Sequence, residues 1–175
     1  MTSDDLRFPT GRFHFDPDVT TAKRAAAINT IRTTPAALRG AVRDLSEARL
    51  DTPYRPGGWT VRQLVHHVPE SHMNAFVRFK LALTEQNPTI KPYDEDAWAT
   101  LKDVQSPIEP SLTLLEALHQ RWVTLLEGME ASDFGRPLQH PERGPMTLDS
   151  MLQLYAWHGP HHVAHVTNLR KREGW

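Results

Sequence analysis

The stretch 155–165, YAWHGPHHVAH, constrains this chain more than any other, because four of the chain's 10 histidines fall in it. On a helix each residue advances about 100°, so His161 and His165 lie one turn apart on one face. With a rise of about 1.5 Å per residue, both rings can point at a common atom. His158 and His162 have the same spacing and share much of that face, so position alone does not choose between the pairs. Two imidazoles at i and i+4 are how one helix supplies two nitrogen ligands to a divalent metal. A catalytic site also needs a third protein ligand and an open coordination position, which the rest of the chain must provide.

That remainder is patterned for helices. From about residue 19 to 45, Ile28, Ile31, Leu38, Val42 and Leu45 recur at threes and fours, which predicts an amphipathic helix. Pro35 should bend it or divide it in two, since proline has no N–H for the i−4 carbonyl. Residues 51–58 form a Pro/Gly turn. Thr60 then caps a second helix, through Val61, Leu64, Val65, Val68, Met73, Phe76 and Val77 to about Thr84, with Pro69 inside it. This helix carries His66-His67 and, a little over one turn later, His72.

Residues 87–110 make a long loop of the kind that tends to be functional, anchored by Tyr93 and Trp98. A third helix starts at Pro110-Ser111 and shows an apolar stripe of Leu115, Leu118, Trp122, Leu125 and Met129. Residues 135–145 are expected to be loop. Thr147 caps a fourth helix to about Arg172, where Arg170, Lys171 and Arg172 suit the negative end of the helix dipole. At the front, Phe8, Phe13 and Phe15 alternate with turn formers, which predicts an irregular arm over about residues 1–18 pinned to the core by its rings. No alternating strand-length segment competes. The expectation is one all-α domain over residues 1–175, a four-helix bundle.

Composition removes several function classes. A net charge of −1 and a sequence pI near 6.8 make no electrostatic case for nucleic acid or anionic membrane. No apolar run is long enough to cross a bilayer, and the first five residues lack the basic and apolar segments of a secretion signal. The chain has no cysteine, which fits a cytoplasmic location. It also means that any thiol used in chemistry must come from a substrate.

Within a bundle, a facing helix can bring His67 to the His161/His165 pair, although 94 positions separate them (161 − 67). Three neutral imidazoles leave a metal's charge uncompensated, so the open position favours an anion such as hydroxide, thiolate or carboxylate. Zn²⁺, Ni²⁺ and Co²⁺ accept imidazole, whereas Mg²⁺ and Ca²⁺ prefer oxygen ligands. Glu70 and Asp94 are the carboxylates to watch as proton acceptors. His14, His66, His72, His119 and His140 are expected at the surface or behind the ligands, and Trp59, Trp122 and Trp157 in the core.

The run TPYRPGGWTVRQLVHHVPESHMNAFVRFKLALTE, the segment IKPYDEDAW and the end LYAWHGPHHVAHVTNLRKREGW together resemble the YfiT branch of the DinB superfamily. The likeness covers most of the chain, and both histidine segments match in order. It implies an up-down-down-up four-helix bundle, a homodimer, and one Ni²⁺ or Zn²⁺ per subunit held by three histidines. Carried over, those ligands are His67, His161 and His165. Two departures from the family pattern, Pro69 and Pro160, each remove one helical hydrogen bond and free the carbonyls of Val65 and Ala156.

The resemblance implies a metal-dependent hydrolase acting on a small-molecule substrate. The superfamily also includes S-transferases that use low-molecular-weight thiols such as bacillithiol or mycothiol, which is the alternative. A third reading, of another class, is a metal-binding protein without turnover, in which His158 or His162 closes the coordination shell.

Overall fold

Four long helices, α1 (Thr21–Val42), α2 (Val61–Thr84), α3 (Glu109–Glu127) and α4 (Leu148–Glu173), form the frame of the computed structural model, which describes residues 6–175. The first five residues, on which the expectation about a secretion signal rests, lie outside the described residues, as does the start of the arm. Three of the four begin where a side chain caps free N–H groups, and α3 instead has a proline in its first turn. Thr20 accepts from the Lys23 N–H, and Thr60 with Gln63 and Thr147 with Ser150 close full capping boxes. At the far end of α4, Gly174 takes a left-handed φ of 70°.

The cross-helix pairs give the direction of every helix. Along α1 and α4, Arg24 meets Asp149, Thr34 meets Gly159 and Arg170 meets the Ala41 carbonyl, so these two run parallel. Along α2 and α3, His66 meets Ser111 and His72 meets His119, so these also run parallel. Arg39 with Glu109 and Arg32 with Glu127 set α1 antiparallel to α3, and His67 with His162 and His72 with His158 set α2 antiparallel to α4. The order is therefore up-down-down-up. Because α1 and α4 end together, Arg170 donates to the last carbonyls of α1 at Ala41 and Arg43, both at 2.9 Å.

Pro35 does not divide α1; the helix is continuous through it, as α2 is through Pro69 and α4 through Pro160. Beside Pro35, α1 and α4 approach closely at Gly159. A Cβ there would lie 2.6 Å from Thr34 Cγ2 and 2.7 Å from its Oγ1. Thr34 is buried and bonded to the Thr30 carbonyl, so it has little room to yield, and only glycine fits.

The core is in two parts. One apolar cluster gathers Ile31, Phe79, Trp122 and Met151, and the other Leu38, Leu64, Leu115 and Val166. Between them, at the middle of the bundle, the helices present Thr34, His67, His72, His119, His158 and His162. This polar layer is where the site lies.

Three expectations need correction. Residues 135–145 are not plain loop: β1 (Pro137–His140) and β2 (Gly144–Thr147) pair as an antiparallel hairpin. Four-residue strands containing Pro137 and Pro145 carry no readable alternation, and the turn is set by Gly144 at φ 77°. The long loop holds short helical turns at Glu95–Trp98 and Lys102–Gln105. In the arm, Phe8 and Phe13 lie over His161 and Trp157, but Phe15 is 44% exposed and pins nothing. The arm is held beyond Phe13 by reciprocal bonds between the Asp16 backbone and the Gln153 amide. Among the described residues, no helix is long and apolar enough to cross a membrane.

Candidate metal centre

His67 on α2 and His158 and His162 on α4 each offer one ligand nitrogen, and these atoms all lie within 4.8 Å of one another. The His67 ring centroid is 5.0 Å from that of His162 and 5.4 Å from that of His158. The expected partners of His67 were His161 and His165, and the structure places these elsewhere. They form a pair of their own, Nε2 to Nε2 at 3.1 Å, with Trp157 stacked on His161 and Tyr54 tilted against His165. Moving three positions along a helix turns the face by about 60°. That turn points His158 and His162 at α2, and leaves His161 and His165 toward the arm and the 51–58 turn.

His66, the other member of the pair on α2, is fully occupied. Its Nδ1 is 2.7 Å from the Ser111 hydroxyl and its Nε2 is 3.2 Å from the Ser106 carbonyl. His67 is left free to face α4, and Trp59 covers it at 4.7 Å between ring centroids. Trp59, which also packs against the second apolar cluster, is therefore a wall of this site, and its indole N–H is anchored on Asp96 at 2.9 Å.

Behind His158 runs a line of imidazoles through the bundle. His119 Nδ1 is 2.6 Å from the Ile31 carbonyl, His119 Nε2 is 2.7 Å from His72 Nδ1, and His72 Nε2 is 3.0 Å from His158 Nδ1. A carbonyl can only accept, so the tautomers follow in sequence for neutral rings. His119 carries its proton on Nδ1, His72 donates from Nδ1, and His158 donates from Nδ1. The last step leaves a bare lone pair on His158 Nε2. The carbonyl that starts the line is the one Pro35 cannot use, because Ile31 is four residues before it. His72 and His119, at 0% and 1% exposure, are thus supporting residues and not surface ones. His140 is buried as well.

Electrostatics suits metal binding. Burial holds His67 and His119 at about 4, and burial together with neighbouring imidazoles holds His72, His158 and His162 well below the usual histidine range. All are therefore neutral near pH 7, the form that offers a lone pair. His158 and His162 bring their Nε2 atoms to 3.1 Å, and His162 Nδ1 is buried without a hydrogen-bond partner. Three neutral nitrogen donors crowded into one buried point fit a divalent cation.

Of the carboxylates, Asp94 is used as the cap of the 95–98 turn, accepting from the Ala97 N–H at 2.8 Å. Glu70 is half-buried one turn beyond His67, and burial with the nearby Asp103 charge raises its pKa. Neither belongs to the three-histidine group. A cavity of about 390 Å³ opens beside His158, with Ser71, Arg78, Tyr93, Arg143 and Tyr155 on its walls and the arm and hairpin around it.

Several of these residues carry no sequence signal as site residues. Arg78, Tyr93, Asp96 and His119 come from separate elements, and only packing collects them. The signal for His158 and His162 was present as a second i, i+4 pair, equal in spacing to the first.

The DinB superfamily profile matches residues 30–166 of this chain. A Bacillus cereus (strain 03BB102) protein named "Putative metal-dependent hydrolase" is 53% identical over 171 residues, covering 98% of this chain and 99% of the relative. A Bacillus anthracis relative with the same name is 52% identical over equal coverage. Among solved structures, YfiT from Bacillus subtilis, described as "a probable metal-dependent hydrolase with an unusual four-helix bundle topology", superposes with a TM-score of 0.95. It is 44% identical, with 98% of this chain and 99% of that chain covered.

Proposed function

This chain belongs to the DinB superfamily, and from that premise we propose that it is a metal-dependent hydrolase whose divalent ion is held by His67, His158 and His162. The observation that carries the proposal is the group itself: three neutral imidazoles converging within 4.8 Å at the edge of a substrate-sized cavity. A cation bound there supplies Lewis acidity, which polarises a carbonyl or phosphoryl oxygen and makes water acidic near neutral pH.

The chain's own residues do the rest. His72 fixes the His158 ring by accepting its Nδ1 proton, which aims Nε2 inward. Trp59, tethered by Asp96, covers His67 and limits water on that side. The cavity wall from Ser71 to Tyr155 positions a small molecule against His158. Glu70, half-buried one turn beyond His67 on α2, is the carboxylate proposed to take up a proton, and burial raises its pKa.

The ion is taken to be Zn²⁺ or Ni²⁺, both of which accept imidazole, with one ion per subunit of a cytoplasmic homodimer. The test is elemental analysis of the purified protein, followed by ester and amide panels with the loaded enzyme. Stoichiometric metal with turnover supports the proposal. Metal without hydrolysis, together with metal-dependent binding of a low-molecular-weight thiol in calorimetry, would transfer the assignment to S-transfer. No metal after reconstitution with Zn²⁺ and Ni²⁺ would sink both.

A further inference from the structure

Two guanidinium groups on α2 are buried, and the bundle treats them differently. Arg62, 6% exposed, donates to Asp51 at 2.6 Å and to Glu47 at 2.6 Å, and also to the Ser106 carbonyl. That is how this fold satisfies a cation it uses for structure. Arg78, 8% exposed, has one protein acceptor, the Lys91 carbonyl at 3.0 Å, and no carboxylate pairs with it among the described residues. An unpaired buried charge is costly, and a guanidinium has five N–H donors to satisfy. Arg78 lines the same cavity as His158.

Tyr93 stands on the same cavity wall. The Tyr93 hydroxyl is buried beside Ser71 without a partner in hydrogen-bonding geometry. A second cation, Arg143, stands on the wall from the β1–β2 turn. Burial and both arginines lower the pKa of His140, and its Nδ1 already accepts from the Glu142 N–H at 3.2 Å, so the neutral ring has its proton on Nε2 and no acceptor left for a guanidinium. Glu95 and Glu142 also border the cavity, yet neither forms an ion pair with Arg78 or Arg143. Arg78 and Arg143 thus bring to the wall positive charge that no carboxylate among the described residues pairs with.

We propose that Arg78, with Tyr93, is an anion subsite that receives a carboxylate or phosphoryl group of the substrate. This rests on the hydrolase reading for its meaning, since the subsite fixes one end of a molecule whose other end reaches the histidines. Arg78 follows His67 by 11 positions on α2 (78 − 67) and lines the same cavity as His158, so one molecule in that cavity can meet both. The planar fork of Arg78 suits either oxyanion in a two-bond contact.

The test uses the full chain, metal-free and Zn²⁺-loaded, followed by ¹⁵N NMR of backbone and arginine side chains. Succinate, inorganic phosphate and the neutral isostere succinamide are titrated in turn. The expected result is saturable shifts centred on Arg78 and Tyr93 with at least one anion, none with succinamide, and the same response without metal. Response to succinate alone identifies a carboxylate and to phosphate alone a phosphoryl group. Arg78→Gln should weaken binding at least tenfold, Arg78→Lys less, and Tyr93→Phe a few-fold with the fold intact.

Absence of saturable binding, or equal affinity in Tyr93→Phe and a folded Arg78→Gln, overturns the subsite. Because the anion is read in metal-free protein, this failure is separate from failure of the metal centre. The latter shows as loss of Zn²⁺ binding.

Discussion

Helix α4 carries two histidine pairs with the same spacing, and comparing them shows what a binding site requires beyond spacing. His158/His162 and His161/His165 each bring Nε2 atoms to 3.1 Å, and all four rings are held neutral by burial. The first pair faces α2, where His67 adds a third nitrogen and His72 holds the His158 ring. The second pair faces aromatic rings and the Thr10 hydroxyl, 3.4 Å from His161 Nδ1, and gains no third ligand among the described residues. An i, i+4 pair is therefore half a site. The facing helix decides which half is completed.

Removing ligands should separate the pairs most sharply. His67→Ala, His158→Ala and His162→Ala should each lose metal by more than the ~10–100-fold that a supporting residue typically carries. His161→Ala and His165→Ala should retain it within a few-fold. Zn²⁺ competition against a chromophoric chelator measures this, and a loss in His161→Ala equal to that in His158→Ala would reverse the assignment.

Acid gives the next largest effect, and it acts on both pairs together. In the unfolded chain histidine titrates near 6.5, whereas burial holds His161 at about 4 and His165 at about 3 and keeps His158 and His162 well below the usual range. Between these values the unfolded state binds more protons, so metal-free protein should lose stability as pH falls below about 6.5. Each such histidine contributes a slope of about 1.4 kcal/mol per pH unit. Above pH 6.5 this contribution is flat. Urea midpoints at pH 7.5, 6.5, 5.5 and 4.5 test it, and a midpoint unchanged down to pH 4.5 would show that the rings are charged in the fold.

Much of the frame could be read in the chain. Thr60 and Thr147 marked helix starts because a cap is a local device that depends on a few neighbouring residues. The apolar stripe with Leu115 and Trp122 marked α3 for a similarly local reason. The choice among four histidines was not local. It depends on how α4 is rotated against α2, and that is set by packing such as Thr34 against Gly159 on a third helix. The line from Ile31 to His158 was invisible for the same reason, since its members sit on all four helices. The β1–β2 hairpin was missed because four-residue strands bearing prolines present no period to detect.

That line can be cut at two points with unequal expected force. His119→Phe removes the acceptor for His72 Nδ1, freeing His72 to turn over and present the wrong nitrogen to His158. Zn²⁺ affinity should fall about 10–100-fold with all three ligands still present. Long-range ¹H–¹⁵N spectra should find Nδ1–H on His72, His119 and His158 in wild type; Nε2–H on His119 would refute the assigned order.

Pro35→Ala acts one step further back and should be the smallest effect. Alanine restores an N–H that competes for the Ile31 carbonyl, and an interior proline costs a helix about 3 kcal/mol in propensity. Judged by the helix alone, the substitution should stabilise. A carbonyl has two lone pairs, however, so it can accept from residue 35 and from His119 together, and the imidazole bond weakens without being lost. Metal affinity should drop only a few-fold while the urea midpoint holds or rises. That divergence is the informative result. A change in which both fall together would mean Pro35 serves packing alone, and a gain in both would mean the Ile31 carbonyl has no part in aiming His158.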